Sequence, residues 1–201
     1  MIYLDAGATT LQKPPAVALA VQSAMRRMAT PGRGGHPPAM RAADAVYDCR
    51  CLAGALFDAQ PEQVVFTMNA THALNLAIKT LVKPGGRAVI SGFEHNAVLR
   101  PLHHLGAEII VAGRRLFDPA DTISAFDRAI TPGTSAVICT HVSNVFGYIL
   151  PVEEIAALCR ARGVPFVLDA SQSAGLLPVS LEKLGAAFVC MPGHKALYGP
   201  Q

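Results

Sequence analysis

The sequence predicts an open α/β domain with a mostly parallel sheet sandwiched between helices. Short runs of four to six apolar residues, rich in Val, Ile and Phe, recur along the 201-residue chain, and stretches with helical spacing separate them. The runs are continuous rather than alternating, which is typical of strands buried on both faces of a parallel sheet. Strands that alternate with helices imply right-handed crossovers, so the helices cover both faces.

Each predicted element rests on a local pattern. The apolar runs that we interpret as strands are residues 64–67, 88–91, 109–112, 136–140, 165–168 and 187–191. Apolar residues at helical spacing predict helices over residues 70–81, 121–130 and 152–162, with two earlier helices near 15–28 and 39–57. The segment 30–38 between those earlier helices is rich in Gly and Pro, which indicates a loop.

Composition excludes several functional classes. With 51% hydrophobic and 15% charged residues, the chain is too apolar to be disordered. The net charge of +3 comes from scattered basic residues, which argues against a nucleic-acid-binding arm. No apolar run reaches the ~18 residues of a membrane span, and no basic residue precedes the first apolar stretch as in a secretory leader. We therefore expect no nucleic-acid or membrane partner.

The five cysteines indicate a cytoplasmic protein. They form no Cys-x-x-Cys pair and lie mostly within apolar stretches. An odd number of cysteines without a disulfide pattern is typical of reduced thiols, most of them acting as small apolar residues of the core. No metal site is predicted.

Ligands of open α/β sheets bind beyond the carboxyl ends of the strands, so the polar residues after each run are candidates. Ala70 and Thr71 follow the first run and open a helix, whose N–H groups suit a phosphate. The alternative is that Asn69 or Thr71 only caps this helix. His95 follows the second run and leads a helix, where it is a functional or a capping residue. Asn144 follows the run 136–140 and offers its amide to a ligand or to a turn.

The last two runs are followed by charged residues. Asp169 ends the run 165–168, and a buried carboxylate costs several kcal/mol unless a cation or hydrogen-bond donors meet it. It is either a helix N-cap or the partner of a cationic ring nitrogen, with Gln172 three residues further on. Lys195 follows His194 after the last run, and an amine in a dry cationic pocket becomes a usable nucleophile.

One ligand accounts for this whole series of residues. It needs an anion-binding helix start, a stacking imidazole, an amide for a phenolate oxygen, a carboxylate for a pyridinium N–H and an amine that forms a Schiff base. That ligand is pyridoxal 5′-phosphate. The sequence therefore predicts an enzyme that uses this cofactor.

Five motifs also carry a resemblance that covers nearly the whole chain. They are Tyr3-Leu4-Asp5-Ala6-Gly7-Ala8-Thr9-Thr10, Glu94-His95-Asn96-Ala97-Val98, His141-Val142-Ser143-Asn144-Val145-Phe146-Gly147, Leu168-Asp169-Ala170-Ser171-Gln172-Ser173 and Gly193-His194-Lys195, the last continuing through Pro200. With these motifs the sequence resembles the class V aminotransferases of pyridoxal phosphate fold type I. Within them it is similar to the branch of cysteine desulfurases and selenocysteine lyases.

The resemblance assigns a role to each candidate. It implies that Lys195 holds the cofactor covalently, that Asp169 keeps the ring nitrogen protonated, and that His95 stacks on the ring and moves protons. It further implies contacts of Asn144 and Gln172 to the phenolate and ring side, and contacts of Ala70, Thr71 and His194 to the phosphate. Arg33 and His36 fall in the segment that corresponds to the family's N-terminal active-site loop. Two departures stand out: Pro192 replaces a phosphate-binding Ser, and Ala6-Gly7 replaces the usual Asn-Ala.

The resemblance also implies an activity. A cysteine desulfurase converts L-cysteine to L-alanine and transfers the sulfur, as a persulfide on a separate cysteine, to an acceptor protein; such enzymes are usually homodimers. The alternatives are a class V aminotransferase acting on a small amino acid and a non-catalytic fragment that binds the cofactor.

The resemblance finally implies a domain organisation. We expect residues 1–201 to form an N-terminal segment plus an incomplete cofactor-binding large domain. The small C-terminal domain would lie beyond them, with the arginine that binds the substrate carboxylate and the persulfide cysteine. The fragment itself is therefore expected to turn over weakly or not at all.

Overall fold

The structure, a computed structural model, describes residues 2–200. It divides into two compact units. The smaller unit comprises residues 2–66 and 193–200, and the larger comprises Thr67–Pro192.

The smaller unit is helical. Its elements are α1 (Pro15–Arg27), α2 (Pro37–Phe57) and a 3₁₀ turn (Pro61–Gln63). Both helices begin with a proline, whose missing N–H is not needed in the first turn. His36 caps α2, because its Nδ1 accepts a hydrogen bond from the Ala39 N–H at 3.4 Å. The side chain of Arg41 in α2 donates to the Arg27 carbonyl at the end of α1 at 2.9 Å, which joins the two helices.

The larger unit is built on a parallel sheet. Among the described residues its strands are β1 (Arg87–Ser91), β2 (Glu108–Ala112), β3 (Thr134–Thr140), β4 (Phe166–Asp169) and β5 (Phe188–Cys190), in the spatial order β2-β1-β3-β4-β5. Every neighbouring pair of these strands is parallel. The predicted α/β fold with a parallel sheet is therefore confirmed.

Helices cover both faces of this sheet. They are α3 (Ala70–Leu81), α4 (Asn96–His104), α5 (Pro119–Ala129), α6 (Val152–Arg162) and the short α7 (Leu181–Leu184). Ile90, Ile138 and Val167 pack against α3 and α4 on one face. Side chains of a strand alternate between the faces, so Cys139 points the other way and lies beside Cys159 of α6. The helix α5 packs on α6 at that second face.

The predicted bounds of the helices agree well with the structure. The predicted ranges of α3 and α6 agree with the structure at both ends, because the apolar spacing begins and stops at the ends of these helices. None of the described helices is both long enough and apolar enough to cross a membrane. Cys139, Cys159 and Cys190 are buried as expected, whereas Cys49 is exposed and Cys51 is partly exposed on α2.

The strand predicted at residues 64–67 is wrong. This segment forms no strand; the Val64 N–H instead bonds back to the Pro61 carbonyl at 3.2 Å. Val65 and Phe66 are 71% and 52% exposed. The run has the composition of a strand, but a strand needs a neighbour with which it forms hydrogen bonds. Residues 64–67 pair with none of the described strands, among which β5 ends the sheet order without a further strand beside it.

Candidate functional site

The carboxyl ends of β1, β3 and β4 form one edge of the larger unit, because these three strands are neighbours and parallel. The order of the chain reverses between β1 and β3, and such a switch point is where open α/β sheets bind ligands. His95 follows β1, Asn144 follows β3, and Asp169 ends β4 with Gln172 three residues later. Tertiary structure thus brings four of the predicted site residues to one edge.

Asp169 is the buried charged residue of this edge. It is 3% exposed and pairs with Thr140 of β3 in the sheet register. Its Oδ1 accepts a hydrogen bond from the Ser171 N–H at 3.0 Å. The residues that follow form a turn, closed by the Ser173 N–H on the Ala170 carbonyl at 3.1 Å. Asp169 therefore caps a turn, and the alternative of a helix N-cap is wrong.

His95 is both a capping residue and a residue of the edge. Its Nδ1 accepts a hydrogen bond from the Ala97 N–H at 3.1 Å, which caps α4. Because Nδ1 acts as the acceptor, the proton of the neutral ring lies on Nε2. The side chain is otherwise exposed. The cap fixes the orientation of the imidazole, and its Nε2–H remains available to a ligand.

Ala70 and Thr71 are the first two residues of α3. Asn69 caps this helix, since its Oδ1 accepts from the His72 N–H at 2.8 Å. Helix geometry gives the first N–H groups no carbonyl of their own helix to bond. Since α3 ends shortly before β1 begins and packs along the sheet, its N-terminus lies toward the carboxyl edge. Asn69 therefore caps α3, as one interpretation of the sequence predicts, and the phosphate contact of Ala70 and Thr71 stays a prediction.

Asn144 lies in the loop between β3 and α6. The hydroxyl of Ser143 accepts from the N–H groups of Val145 and Phe146 at 3.4 and 3.3 Å, which closes a turn around Asn144. Gly147 completes the turn at a φ of 65°, a conformation that favours glycine. Asn144 is exposed at the tip of this loop. The Asn144 side-chain amide is therefore exposed by a turn that the Ser143 hydroxyl closes, and it does not close this turn itself.

Glu94 also belongs to this edge, but sequence reasoning assigned it no role. Its Oε1 accepts a hydrogen bond from the Thr140 N–H at 2.8 Å, and its Oε2 is buried without a hydrogen-bond partner among the described residues. Burial raises the pKa of Glu94 to about 8. The one signal in the sequence that could have indicated its burial is its position shortly after the apolar run 88–91.

Lys195 and His194 belong to the smaller unit, where the N-terminal motif binds their backbone. Thr10 Oγ1 donates to the carbonyl groups of His194 and Lys195, at 2.9 and 2.6 Å. Thr9 Oγ1 lies 3.0 Å from His194 Nδ1, and Lys13 Nζ donates to the His194 carbonyl at 3.3 Å. The pKa of His194 is lowered by burial and then by the positive charges of Lys195 and Lys13. The motif was noticed in the sequence, but its contacts across about 185 residues of chain were not predicted.

We expect Thr10→Val to lower the free energy of unfolding by about 1 kcal/mol, because the two carbonyl groups lose the hydroxyl that donates to them. Thr10→Ser keeps the hydroxyl and serves as the control. Urea unfolding of the three proteins measures the effect. Equal stability of the Val and Ser variants would show that these hydrogen bonds contribute nothing.

The chemistry of the larger unit's edge fits pyridoxal phosphate. A buried carboxylate suits a protonated ring nitrogen, and the open N–H groups of a helix start suit a phosphate. Two further buried atoms, His141 Nδ1 and Ser173 Oγ, have no hydrogen-bond partner among the described residues. Buried polar atoms are rarely left unpaired, so these two, which follow β3 and β4, are places for a polar group of a ligand or for water.

Comparison with known proteins agrees with this interpretation. The family model of the class-V aminotransferases matches residues 2–201. The chain belongs to this family. Among its relatives, the cysteine desulfurase IscS of Serratia proteamaculans is 34% identical over 213 residues, which cover 100% of the chain and 51% of the relative.

Two solved structures are also similar to the chain. The apo structure of a cysteine desulfurase from Thermococcus onnurineus NA1 has a TM-score of 0.86 at 30% identity, and covers 100% of the chain and 51% of that protein. A structure of SspA in complex with cysteine has a TM-score of 0.89 at 27% identity, and covers 100% of the chain and 59% of SspA. The class-V aminotransferase chain described here thus spans about half the length of the relatives that it matches.

Proposed function

We propose that this chain is the cofactor-binding part of a pyridoxal-phosphate-dependent cysteine desulfurase, and that its substrate is L-cysteine. The observation that carries the proposal is the buried carboxylate of Asp169 on the same sheet edge as His95, Asn144 and Gln172. The similarity to proteins named cysteine desulfurases, and to SspA, whose structure contains cysteine, supports the choice of substrate.

The residues of the larger unit would hold the cofactor ring and phosphate. Asp169 provides a negative charge that stabilises a proton on the ring nitrogen, and burial strengthens that interaction because less water screens it. Asn144 and Gln172 offer amides to the phenolate and ring side, and the N–H groups of Ala70 and Thr71 offer donors to the phosphate. When bound, the cofactor supplies an electron sink for the substrate carbons.

Lys195 and His95 would perform the proton and bond chemistry. The amine of Lys195 is the group that binds the cofactor covalently, and His194 next to it would contribute to the phosphate contacts. The Thr10 hydroxyl fixes the backbone of Lys195 by donating a hydrogen bond to its carbonyl. His95 presents Nε2–H as a hydrogen-bond donor, since Nδ1 is occupied by the Ala97 N–H. To take up a proton at Nε2, the ring would first have to carry its own proton on Nδ1 instead.

Sulfur transfer needs a thiolate that attacks the substrate sulfur. The C–S bond of cysteine breaks, an S–S bond forms on the attacking cysteine, and alanine is released with the proton of the attacking thiol. Burial raises the pKa of Cys159 and of Cys190 to about 12, and that of Cys139 well above its usual range. A buried thiol is a poor nucleophile. The three buried cysteines are therefore not the sulfur acceptors that the proposal requires.

The proposal extends to the assembly of the whole protein. We propose a cytoplasmic homodimer that transfers sulfur to an acceptor protein. The described cysteines are all free thiols, as suits a reducing compartment. Large apolar side chains of the smaller unit are exposed, for example Leu19 and Met25 of α1 and Leu52 of α2, and such exposure is typical of surfaces that another subunit covers.

A reconstitution experiment tests the proposed function. The chain is mixed with pyridoxal phosphate, and we expect a visible absorption band that depends on covalent attachment. L-cysteine and a reductant are then added to the whole protein that carries this chain. Formation of sulfide and alanine supports the proposal. Formation of a keto acid from a small amino acid would instead identify an aminotransferase, and a folded chain that forms no band would contradict cofactor binding.

A further inference from the structure

Glu94 joins two strands at the switch point of the sheet. It lies three residues after Ser91, the end of β1, and its Oε1 accepts a hydrogen bond from the Ser91 hydroxyl. The same oxygen accepts from the Thr140 N–H at the end of β3, at 2.8 Å. The Ser91 hydroxyl in turn accepts from the Phe93 N–H at 3.2 Å, which closes the turn that leads to His95. One carboxyl oxygen thus sets the geometry of the β1–β3 junction.

The second oxygen of Glu94 has a different environment. Oε2 is buried and has no hydrogen-bond partner among the described residues. An ionised carboxylate would leave half of its charge on an atom with no donor, at a high cost in free energy. A neutral carboxylic acid avoids this cost, since Oε1 serves as the carbonyl oxygen for two donors and Oε2 carries the proton.

The charged surroundings also favour the neutral form. Burial first, and then the negative charge of Asp169 on β4, raise the pKa of Glu94, whereas the hydrogen bonds from Ser91 and Thr140 lower it; the net result is a pKa of about 8. Cys139 on β3 lies close enough for its own pKa to be raised by Glu94, and it stays a neutral thiol. At neutral pH Glu94 is therefore neutral.

We propose that Glu94 is a positioning residue, a carboxylic acid that is neutral in the folded protein and holds the β1–β3 junction from which His95 projects at the sheet edge that it shares with Asp169. It acts through His95, because the turn that it closes leads directly to the cap of α4. The functional importance of this placement rests on the proposed function. The neutral state of Glu94 and its effect on His95 do not, so they can be tested without the cofactor.

The first test measures the free energy of unfolding against pH for the cofactor-free chain and for Glu94→Gln. A raised folded-state pKa means that the stabilisation is complete below about pH 4.5 and is lost as the pH rises to about 8. Glutamine copies the neutral acid at every pH. Over this range, each pH unit should shift the unfolding equilibrium of the wild type, relative to the variant, by up to about tenfold toward the unfolded state.

The matched control is Glu154→Gln, which neutralises an exposed carboxylate in the first turn of α6. The free energy of unfolding of this control should vary with pH in the same way as that of the wild type between pH 4.5 and 8. If Glu94→Gln also runs parallel to the wild type, Glu94 is ionised in the folded protein and the proposal is overturned.

The second test follows the His95 ring by NMR in the cofactor-free chain. Glu94→Ala removes the hydrogen bonds to Ser91 and Thr140 and should shift the His95 ring signals. Glu94→Gln keeps the acceptor oxygen and should give the ring signals of the wild type. Unchanged signals in Glu94→Ala would overturn the positioning role. Loss of the cofactor absorption band in the wild type, with both of these results intact, would instead contradict the proposed function alone.

Discussion

Under the proposed function, replacing Lys195 with alanine is expected to abolish covalent attachment of pyridoxal phosphate. In the whole protein that carries this chain it should lower L-cysteine turnover by about 10³-fold or more, since both a nucleophile and a proton-transfer group are lost. The hydrogen bond from Thr10 to the Lys195 carbonyl is a backbone contact, so it should be retained in this variant. Absorption spectra with the cofactor and sulfide release from L-cysteine measure the two effects.

The control for this variant is Lys183→Ala, which removes an exposed lysine of α7. It should form the same absorption band as the wild type and turn over L-cysteine at the wild-type rate. A Lys195→Ala protein that still forms the wild-type band would show that another amine binds the cofactor.

Asp169→Asn is expected to separate the functional role of this residue from its structural role. Asparagine keeps an oxygen for the Ser171 N–H but removes the negative charge. Because asparagine keeps this acceptor and has the shape of aspartate, urea unfolding should give a stability close to that of the wild type. Turnover should fall by about 10²- to 10³-fold, because the proton on the ring nitrogen loses its partner.

Asp58→Asn provides the matched control. Asp58 is exposed at the end of α2 with a φ of 50°, a conformation that asparagine adopts readily. This substitution should change neither stability nor turnover appreciably. If Asp169→Asn turned over L-cysteine at the wild-type rate, the carboxylate would be a turn cap and nothing more.

Most of the larger unit could be predicted because its signals are local. The helices α3 and α6 follow from apolar spacing, and β1, β3 and β4 follow from continuous apolar runs. Asp169 was found for the same reason, since it stands directly after such a run. The failure at residues 64–67 has the opposite cause: the run has the right composition, but pairing with a neighbouring strand is not a local property.

The contributions of Glu94 and Thr10 could not be predicted, because both depend on contacts between distant parts of the chain. The Glu94 carboxyl meets the Thr140 N–H 46 residues away. The Thr10 hydroxyl meets the Lys195 carbonyl 185 residues away. The sequence also left open whether His95 caps a helix or serves a ligand. The structure has it cap α4 through Nδ1, and the remaining nitrogen suits the second role.

Amino-acid order was enough to specify the α/β class, the family and the residue types that a pyridine ring, a phosphate and an amine require, because each of these is recorded in short stretches of chain. Folding decided the environment of each carboxyl group. Asp169 and Glu94 are both acidic side chains that follow apolar runs, yet Asp169 has a donor from its own turn, whereas Glu94 has a buried oxygen with no partner among the described residues. Burial and the charge of Asp169 raise the pKa of Glu94, and both arise only when β1, β3 and β4 lie side by side.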